Sequence, residues 1–459
     1  MTAYEERRRR HVEDMTAMLP DHLARLDWSA ERLRLHRTSE LRRLVGSAVR
    51  QSPWHRARLQ GIAVDRLDEH TLGELPVMTK DDLMTNFDEI VTDARLRLDV
   101  CNAHLETLTH DAYLFGRYHV IASGGSTGRR GVFVYDWDEW STMYLGVQRY
   151  EYRRQAGERR DRPGPVKMAA VAAGRASHAT KALLTTFSTD DQVISGVPVT
   201  LPVDDIVAGL NAQDPDIVFA YPSALLPLAD KARSGELRIR PRRIIVGAEP
   251  LLPEIRATAE ATWNVPVINC YGSSEGGAMG VACGSGPGLH LAEDLCIIEA
   301  VDADGQPVAP GERSAKIYLT NLYNHTLPLI RYEITDELTV LEGSCPCGSA
   351  HRVIADPQGR LDDVFHYGSL VVHPLVFRSP LGLCSDIVEY QVRQTARGAD
   401  IAVRCLGQSQ LMAVADEIRG KLITAGLGDP EVTITVLDQL PRQDTGKLKR
   451  FIPLAPVAA

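Results

Sequence analysis

The chain has 459 residues, 44% of them hydrophobic and 24% charged, which is ordinary for a globular protein and excludes wholesale disorder. Its 51 basic and 60 acidic residues give a net charge of −9, which disfavours a general nucleic-acid binder. No apolar run approaches the roughly 20 residues of a membrane span, and the charged N-terminus lacks the apolar core of a signal peptide. We therefore expect a cytoplasmic protein with no membrane or nucleic-acid partner.

The first half of the chain predicts helices followed by a helix-covered sheet. Leu41–Leu59 has helical apolar spacing, and Thr79 is placed to cap another helix. From Val166, short apolar runs alternate with helix-length amphipathic segments, which is typical of a parallel sheet covered by helices. The predicted strands are Val166–Ala172, Asp216–Ala220, Arg243–Gly247 and Val265–Cys270, and the predicted helices are Ser223–Ser234 and Leu251–Trp263.

The pattern then changes twice. From His290 to about Val340, two-residue alternation with turn signals predicts a smaller antiparallel sheet. Beyond a boundary at Gly359–Asp363, strands at Glu389–Thr395, Asp400–Leu406 and Val432–Leu437 with a helix over Gln408–Ala425 predict a small α+β module. The expected fold is α/β, with a large domain (1–359) of mainly parallel sheets plus a small β-subdomain, and a small C-terminal α+β domain (360–459).

A loop of small residues connects Ala122 to the alternating strand Val132–Tyr135. Its glycines and hydroxyls would let the backbone approach a polyphosphate and donate hydrogen bonds to it. It lacks the G-K-[ST] ending of a nucleotide P-loop, and a plain hairpin turn explains the same residues. The loop consists of Ser123, Gly124, Gly125, Ser126, Thr127, Gly128 and Arg129.

Two polar turns follow predicted strands. In an open parallel sheet ligands bind beyond the carboxyl ends of the strands, so both turns are expected to face one crevice. A carboxylate there could hold Mg²⁺ and a tyrosine ring could stack on a base, although ordinary polar turns account for the same residues. The turns are Gly247, Ala248, Glu249 and Pro250, and then Tyr271, Gly272, Ser273, Ser274 and Glu275.

Two later segments complete the set. Leu329–Asp336 offers an acidic group suited to ribose hydroxyls, and Pro441–Arg450 places a lysine after a glycine in a C-terminal loop. A solvated basic tail is the alternative for the second segment.

Taken in order, these segments resemble the adenylate-forming (acyl-CoA synthetase-like) superfamily, and within it the phenylacetate–CoA ligase-like branch. The resemblance runs from about residue 40 to the C-terminus, and Gly247–Pro250, Gly288–Asp294 and Leu75–Lys80 support the branch. The chain departs from the family pattern with Gly124 where serine is common, Arg129-Arg130 where lysine and proline are usual, and Thr335 where glycine is expected.

The resemblance implies a two-step reaction. A carboxylic acid, aromatic or arylacetic in this branch, attacks ATP to give an acyl-adenylate and pyrophosphate, and a thiol, usually that of coenzyme A, then displaces AMP. An amine, a hydroxyl or a carrier-protein thiol is the alternative second nucleophile. A catalytically silent relative that binds nucleotide is the alternative from another class.

The resemblance also implies roles for single residues. The loop Ser123–Arg129 closes over the β- and γ-phosphates, Tyr271 stacks on adenine, Glu249 lies near the nucleotide, Glu275 holds Mg²⁺ and Asp336 binds the ribose hydroxyls. In the mobile C-terminal domain, Arg360 contacts ribose or phosphate, Asp362 is the hinge, and Lys447 is the catalytic lysine that bridges the carboxylate and the α-phosphate.

Four further residues suggest a metal. Cys283, His290, Cys345 and Cys347 offer three thiols and an imidazole, a tetrahedral set suited to structural Zn²⁺, and some members of the branch carry zinc at such a group. The alternative without a metal is that Cys283 is a core thiol and Cys345–Gly348 only a turn. Within the metal hypothesis, Cys296 is an alternative ligand.

Three aromatic residues have open interpretations. His178 either lines the acyl pocket or is a solvated loop residue. Trp137 and Trp140 are expected to pack internally or to form an oligomer contact, which leaves a homodimer open.

Overall fold

A computed structural model describes residues 2–123, 131–157, 164–174, 176–199, 201, 203–357, 365–368, 370–372, 376–377, 380–381, 384, 386–443 and 448–454. Within this part of the chain, no helix is both long and apolar enough to cross a membrane.

The N-terminal region is helical, as expected. Its helices are α1 (Ala3–Arg25), α2 (Ala30–Gln51), α3 (Pro53–Arg58), α4 (Lys80–Thr85), α5 (Phe87–Ile90) and α6 (Leu98–Thr107). The helix predicted over Leu41–Leu59 is divided at Ser52, because Pro53 lacks a backbone N–H and forces the residue before it into an extended conformation. Thr79 caps α4 and forms a capping box with Asp82, which confirms that prediction.

A hairpin and a long helix follow. Strands β1 (His119–Ala122) and β2 (Val132–Tyr135) pair antiparallel with Ala122 opposite Val132, and helix α7 is Trp137–Gly157. The predicted phosphate loop therefore begins at the end of a hairpin strand. Its residues 124–130 lie outside the described part of the chain.

The middle of the chain alternates strands and helices and then becomes all strand. In order, the elements are β3 (Val166–Ala172), α8 (Ala179–Thr186), β4 (Gln192–Pro198), α9 (Val203–Gln213), β5 (Ile217–Ala220), α10 (Pro222–Arg233), β6 (Arg243–Gly247), α11 (Pro253–Trp263), β7 (Val267–Ser273), β8 (Gly277–Val281), β9 (Leu289–Leu291), β10 (Cys296–Val301), β11 (Lys316–Asn321), β12 (Tyr332–Ile334) and β13 (Val353–Ile354).

These strands form a large mixed sheet in the order β13-β9-β8-β7-β6-β5-β3-β4, parallel from β4 to β7. The near-continuous burial of β3 and β6 is that of parallel strands covered on both faces. One prediction is wrong in detail: β7 runs on through Ser273, because Cys270–Ser273 pair antiparallel with β8.

The smaller sheet has the antiparallel order β10-β11-β12, as predicted. His290, which was expected at the start of that sheet, instead lies on β9 of the large sheet, where it is opposite Val353.

The C-terminal module has the predicted α+β composition. Its elements are β14 (Phe365–Tyr367), β15 (Leu370–Val372), β16 (Ile387–Thr395), β17 (Gly398–Cys405), α12 (Leu411–Thr424), β18 (Glu431–Val436) and β19 (Phe451–Ile452). The sheet order is β18-β17-β16-β19. Phe365, Tyr390 and Phe451 share a core with Val246 and Leu251 of the large sheet region. The predicted boundary at 359/360 lies outside the described residues.

Candidate active site

A cavity of about 370 Å³ lies at the carboxyl ends of β6 and β7. Side chains of two kinds surround it. One wall, which we call the turn side, consists of the residues at or just after the ends of β6 and β7, together with Asp336. These residues are Gly247, Ala248, Glu249, Pro250, Tyr271, Gly272, Ser273, Ser274, Glu275 and Asp336. Segments that the sequence suggested separately thus meet in one crevice, as expected for neighbouring parallel strands.

The turn after β6 has a tight backbone. A Cβ at Gly247 would lie 2.9 Å from the carbonyl oxygen of Cys270, and Ala248 adopts a left-handed conformation with φ 66°. This geometry presents the Glu249 carboxylate between two backbone donors. Its Oε2 accepts from the Ser223 N–H at 3.0 Å, and its Oε1 accepts from the Leu448 N–H at 3.1 Å. Glu249 thereby connects the start of α10 to the C-terminal segment.

Tyr271 and Asp336 form a buried pair. The Tyr271 hydroxyl donates to Asp336 Oδ2 at 2.8 Å, and the two residues are 9% and 5% exposed. The tyrosine therefore orients the carboxylate at the wall of the cavity, which brings an aromatic face and an anionic acceptor together.

Glu275 is held by its backbone. Its carbonyl oxygen accepts from the Tyr135 hydroxyl at 3.2 Å and from Asn321 Nδ2 at 3.0 Å. The Glu275 carboxylate makes no hydrogen bond or ion pair with any of the described residues, although the residue lines the cavity. A carboxylate presented in this way is available to a cation.

Several expected site residues lie outside the described part of the chain. They are Gly124, Gly125, Ser126, Thr127, Gly128 and Arg129 of the loop, and Arg360, Asp362 and Lys447. Their described neighbours reach the cavity: Ser123 lines it and accepts from the Gly131 N–H at 3.0 Å, and Gln443 and Leu448 line it as well.

A polar anchor in the C-terminal segment was not predicted from the sequence. Arg442 Nη1 donates to Ser223 Oγ at 3.1 Å, and Nη2 donates to the Glu389 carboxylate at 2.9 Å. Glu389 is only 3% exposed and also pairs with Arg404 at 3.4 Å. The position of Arg442 in the Pro-Arg motif was the available signal, but its partners are distant in sequence.

The opposite wall, which we call the helix side, comes from α7 and α8. Its cavity-lining residues are Met143, Tyr144, Val147 and Gln148 of α7, and Ala179, Thr180, Leu183 and Leu184 of α8. His178 lines the cavity beside them, and its assignment to an acyl pocket stays a prediction. Lys80, at the start of α4, also reaches the cavity and had no role in the sequence-based hypothesis.

Comparison with known proteins identifies relatives of parts of the chain and solved structures with the same fold. No protein-family model matches the chain. The phenylacetate–coenzyme A ligase of Thermus thermophilus is 27% identical over 272 residues, covering 52% of this chain and 60% of the relative. That of Pseudomonas putida is 28% identical over 250 residues, covering 51% of this chain and 55% of the relative. The chain thus matches no more than 60% of the length of either relative.

Among solved structures, 2-hydroxyisobutyryl-CoA ligase in the postadenylation state has a TM-score of 0.74 at 18% identity, covering 94% of this chain and 92% of that one. The chain therefore has the fold of this ligase. Its curated relatives lie in the phenylacetate–CoA ligase-like branch. The same solved ligase in the thioesterification state gives a TM-score of 0.57 over 94% of this chain.

Away from the cavity, the chain carries a compact cysteine–histidine group. The ligand atoms of Cys283, His290, Cys345 and Cys347 all lie within 4.8 Å of one another. Cys283 Sγ is 3.6 Å from Cys345 Sγ, and Cys347 Sγ is 3.3 Å from His290 Nε2. Tetrahedral ligands around zinc are separated by about 3.8 Å when the Zn–S bond is about 2.3 Å, so the group fits the ion.

The surroundings also suit a metal. His290 Nδ1 lies 3.1 Å from the His351 carbonyl oxygen, which directs Nε2 toward the thiols. Burial alone would raise the pKa of Cys283, but hydrogen bonds from His290 and the Ser285 backbone outweigh it and lower the pKa to about 6. Cys296 is not part of the group, since its buried thiol donates to the Ala292 carbonyl at 3.4 Å.

Proposed function

We propose that this protein is an ATP-dependent acid–thiol ligase that forms an acyl-adenylate, releases pyrophosphate and passes the acyl group to coenzyme A. The observation that carries the proposal is the meeting of two unlike surfaces in one cavity. The turn side offers polar backbone, an aromatic ring and carboxylates, and the helix side is mainly apolar. A nucleotide and an acid with an apolar body are the substrates that such a cavity suits.

In this proposal ATP lies against the turn side. Tyr271 stacks on the adenine, and Asp336, oriented by the Tyr271 hydroxyl, accepts from the ribose hydroxyls. Glu249 lies near the nucleotide, where it also fixes the Leu448 backbone. Ser123 begins the loop that closes over the β- and γ-phosphates.

Glu275 is the residue that would hold Mg²⁺, since a carboxylate oxygen is a ligand that this ion prefers. Magnesium, when bound, supplies positive charge against the phosphate oxygens. The hydrogen bonds to the Glu275 carbonyl fix the backbone and leave the carboxylate for the ion.

In the first half-reaction a carboxylate oxygen of the acid attacks the α-phosphorus, and the bond to pyrophosphate breaks. Negative charge accumulates on the attacked phosphate, and Lys447 with Arg360 neutralises it. The reaction needs positioned substrates and fixed charges rather than a protein nucleophile.

In the second half-reaction the thiol sulfur attacks the acyl carbon, and AMP leaves. The contacts of Leu448 with Glu249 and of Arg442 with Ser223 hold the C-terminal segment at the cavity. We infer that residues 360–459 turn as a domain about Asp362 to admit the thiol. The lower TM-score of the solved relative in its thioesterification state is consistent with such a movement.

The acid is aromatic or arylacetic in this proposal. Met143, Leu183 and Phe219 offer apolar contact to a ring, and the curated relatives named above are phenylacetate–CoA ligases. The other acceptors, an amine, a hydroxyl or a carrier-protein thiol, would use the same adenylate.

The cysteine–histidine group would hold one structural zinc. Four protein ligands close the coordination sphere, so the ion would stabilise the fold without entering the reaction. It would connect the segment after β8 to the turn before β13.

The test is acid-dependent exchange of labelled pyrophosphate into ATP, with panels of aromatic, arylacetic and aliphatic acids. Exchange with an aromatic or arylacetic acid is expected, and mass detection of the acyl-CoA should then depend on added coenzyme A. Absence of exchange with every acid would overturn the proposal. Exchange of pyrophosphate without formation of acyl-CoA would support the adenylation step and would show that the acyl acceptor is not coenzyme A.

A further inference from the structure

One glutamine distinguishes the helix side of the cavity from an ordinary apolar wall. Gln148 lines the cavity and is 5% exposed, and its amide makes no hydrogen bond with any of the described residues. The amide is open to the cavity, where water can reach it. A ligand that fills the cavity and displaces this water would leave the amide without a partner unless the ligand supplies one, and that is costly.

The rest of α7 holds Gln148 in place. On one side, a Cβ at Gly146 would lie 2.9 Å from Leu295 Cδ1, which shows how closely the helix packs there. On the other, Arg149 makes a two-pronged ion pair with Asp294 at 2.6 and 2.7 Å, and both residues are buried. One turn further, Glu151 pairs with Arg243 at 2.8 Å.

These anchors make the helix a fixed frame. Because the backbone at Gln148 cannot shift without breaking a buried ion pair, its amide is presented to the cavity at a defined place. A ligand group that forms a hydrogen bond with the amide must therefore lie at this place in the cavity.

The neighbouring side chains restrict the chemistry of that group. The charged residues that line the cavity, among them Lys80, Glu275 and Arg450, belong to other segments, whereas the lining residues of α7 and α8 are uncharged. A charged substituent placed against these two helices would therefore have no counter-ion on them. The Tyr144 hydroxyl already lies 3.4 Å from that of Tyr152. An amide both donates and accepts, which matches a hydroxyl or a carbonyl oxygen.

We propose that Gln148 selects acids that carry a neutral hydrogen-bonding substituent, a hydroxyl or carbonyl oxygen, on an otherwise apolar body. This inference rests on the proposed function, because it names the substrate class of the same cavity. An acid without the substituent would leave the amide unpaired, and a site built to bind a hydroxyl rejects such an analogue strongly.

The experiment compares matched acids by acid-dependent pyrophosphate release. Benzoate and phenylacetate are each compared with their ring-hydroxylated isomers and with the corresponding chloro acids, which have similar size but no hydroxyl donor. In the wild-type protein one hydroxylated isomer should exceed its chloro counterpart in kcat/KM by at least about tenfold. In Gln148→Leu that ratio should fall to near one.

Two further variants give controls. Gln155→Leu changes the other glutamine of α7, which donates to Glu151 at 2.9 Å and does not line the cavity, and it should keep the wild-type ratio. Thr180→Val removes the hydroxyl of a half-buried cavity residue, and the ratio should persist whatever its overall rate.

Three outcomes would overturn the inference. The first is that the wild-type protein has the same kcat/KM for hydroxylated and chloro acids. The second is that Gln148→Leu lowers kcat/KM equally for both kinds of acid. The third is that Thr180→Val, and not Gln148→Leu, abolishes the ratio of the two kcat/KM values. In each of these, adenylation of some acid persists, so the proposed function stands. If no acid supports pyrophosphate release, the proposed function fails and this inference with it.

Discussion

The two sides of the cavity differ in how they are built. On the turn side, functional groups follow directly from the ends of β6 and β7, and the backbone geometry that presents them leaves a local pattern of glycine, tyrosine and acidic residues. On the helix side, Met143, Val147 and Leu183 have the spacing of an ordinary buried helix face. The comparison teaches that the residues assigned to the nucleotide lie in contiguous motifs, whereas the residues assigned to the acid have the spacing of ordinary core residues.

The two sides also have different supports behind them. The strands after β7 lead to the cysteine–histidine group, with Cys283 shortly after β8 and His290 on β9. Behind the helix side, α1 packs His11 against Trp137 of α7 at 3.9 Å between ring centres and against Phe187 after α8. Perturbing one support should therefore affect one side more than the other.

The largest effect is expected where the C-terminal segment closes on the turn side. Lys447→Ala should lower adenylation by roughly 10²–10³-fold, because the lysine neutralises charge on the attacked α-phosphate and carboxylate in that step and is not needed when the thiol attacks the finished adenylate. The variant should still convert synthetic acyl-adenylate and coenzyme A to product. Asp362→Pro should do the reverse, since a fixed φ hinders the rotation. Both half-reactions are measured separately, and equal losses in the two steps would contradict domain alternation.

The next effect lies within the turn side. Glu275→Gln and Asp336→Ala should each raise the KM for MgATP and lower turnover, by about 2–4 kcal/mol in kcat/KM, because the first loses the carboxylate for Mg²⁺ and the second the acceptor for the ribose hydroxyls. Steady-state kinetics with varied MgATP provide the measurement. Tyr271→Phe, which removes only the hydroxyl that orients Asp336, is the matched control and should cost about 1 kcal/mol. Wild-type ATP kinetics in both carboxylate variants would reject the nucleotide assignment.

The origin of the turn side explains why so much of it could be predicted from sequence. Apolar runs identify β3, β5 and β6 nearly to the residue, and the turn after β6 was placed correctly because strand ends align at one edge of a parallel sheet. The extension of β7 through Ser273 was not predicted, because its partner β8 contains two glycines and lacks a strong strand pattern.

Contacts between distant segments could not be predicted. Glu249 accepts from the Leu448 N–H 199 residues away, and nothing local to either residue indicates the pairing. Gln148 is likewise informative only once its burial and its lack of a partner among the described residues are known. The helix side depends on packing, and packing is not encoded in short patterns.

Removing the support behind the turn side should have a smaller effect on catalysis and a clear one on stability. Purified protein should contain about one zinc per chain, and Cys345→Ser with Cys347→Ser should lose it together with several degrees of thermal midpoint. Cys296→Ser, outside the ligand group, is the control for loss of a buried thiol. Metal analysis of untagged protein that finds no zinc would refute the site without affecting the ligase proposal.

The smallest effect on catalysis concerns the support behind the helix side, where burial and the nearby His119 lower the pKa of His11 to about 3. Its Nδ1 lies 3.0 Å from the Tyr113 hydroxyl, and its Nε2 lies 2.7 Å from the Trp137 carbonyl oxygen. Between about pH 6.5 and 3 the unfolded chain binds a proton at His11 that the folded chain does not, so stability falls as the pH falls. His11→Gln should therefore flatten the pH dependence of the unfolding free energy by about 1.4 kcal/mol per pH unit in that window. Urea unfolding at a series of pH values tests this, and an unchanged slope would show that His11 is already protonated in the folded protein.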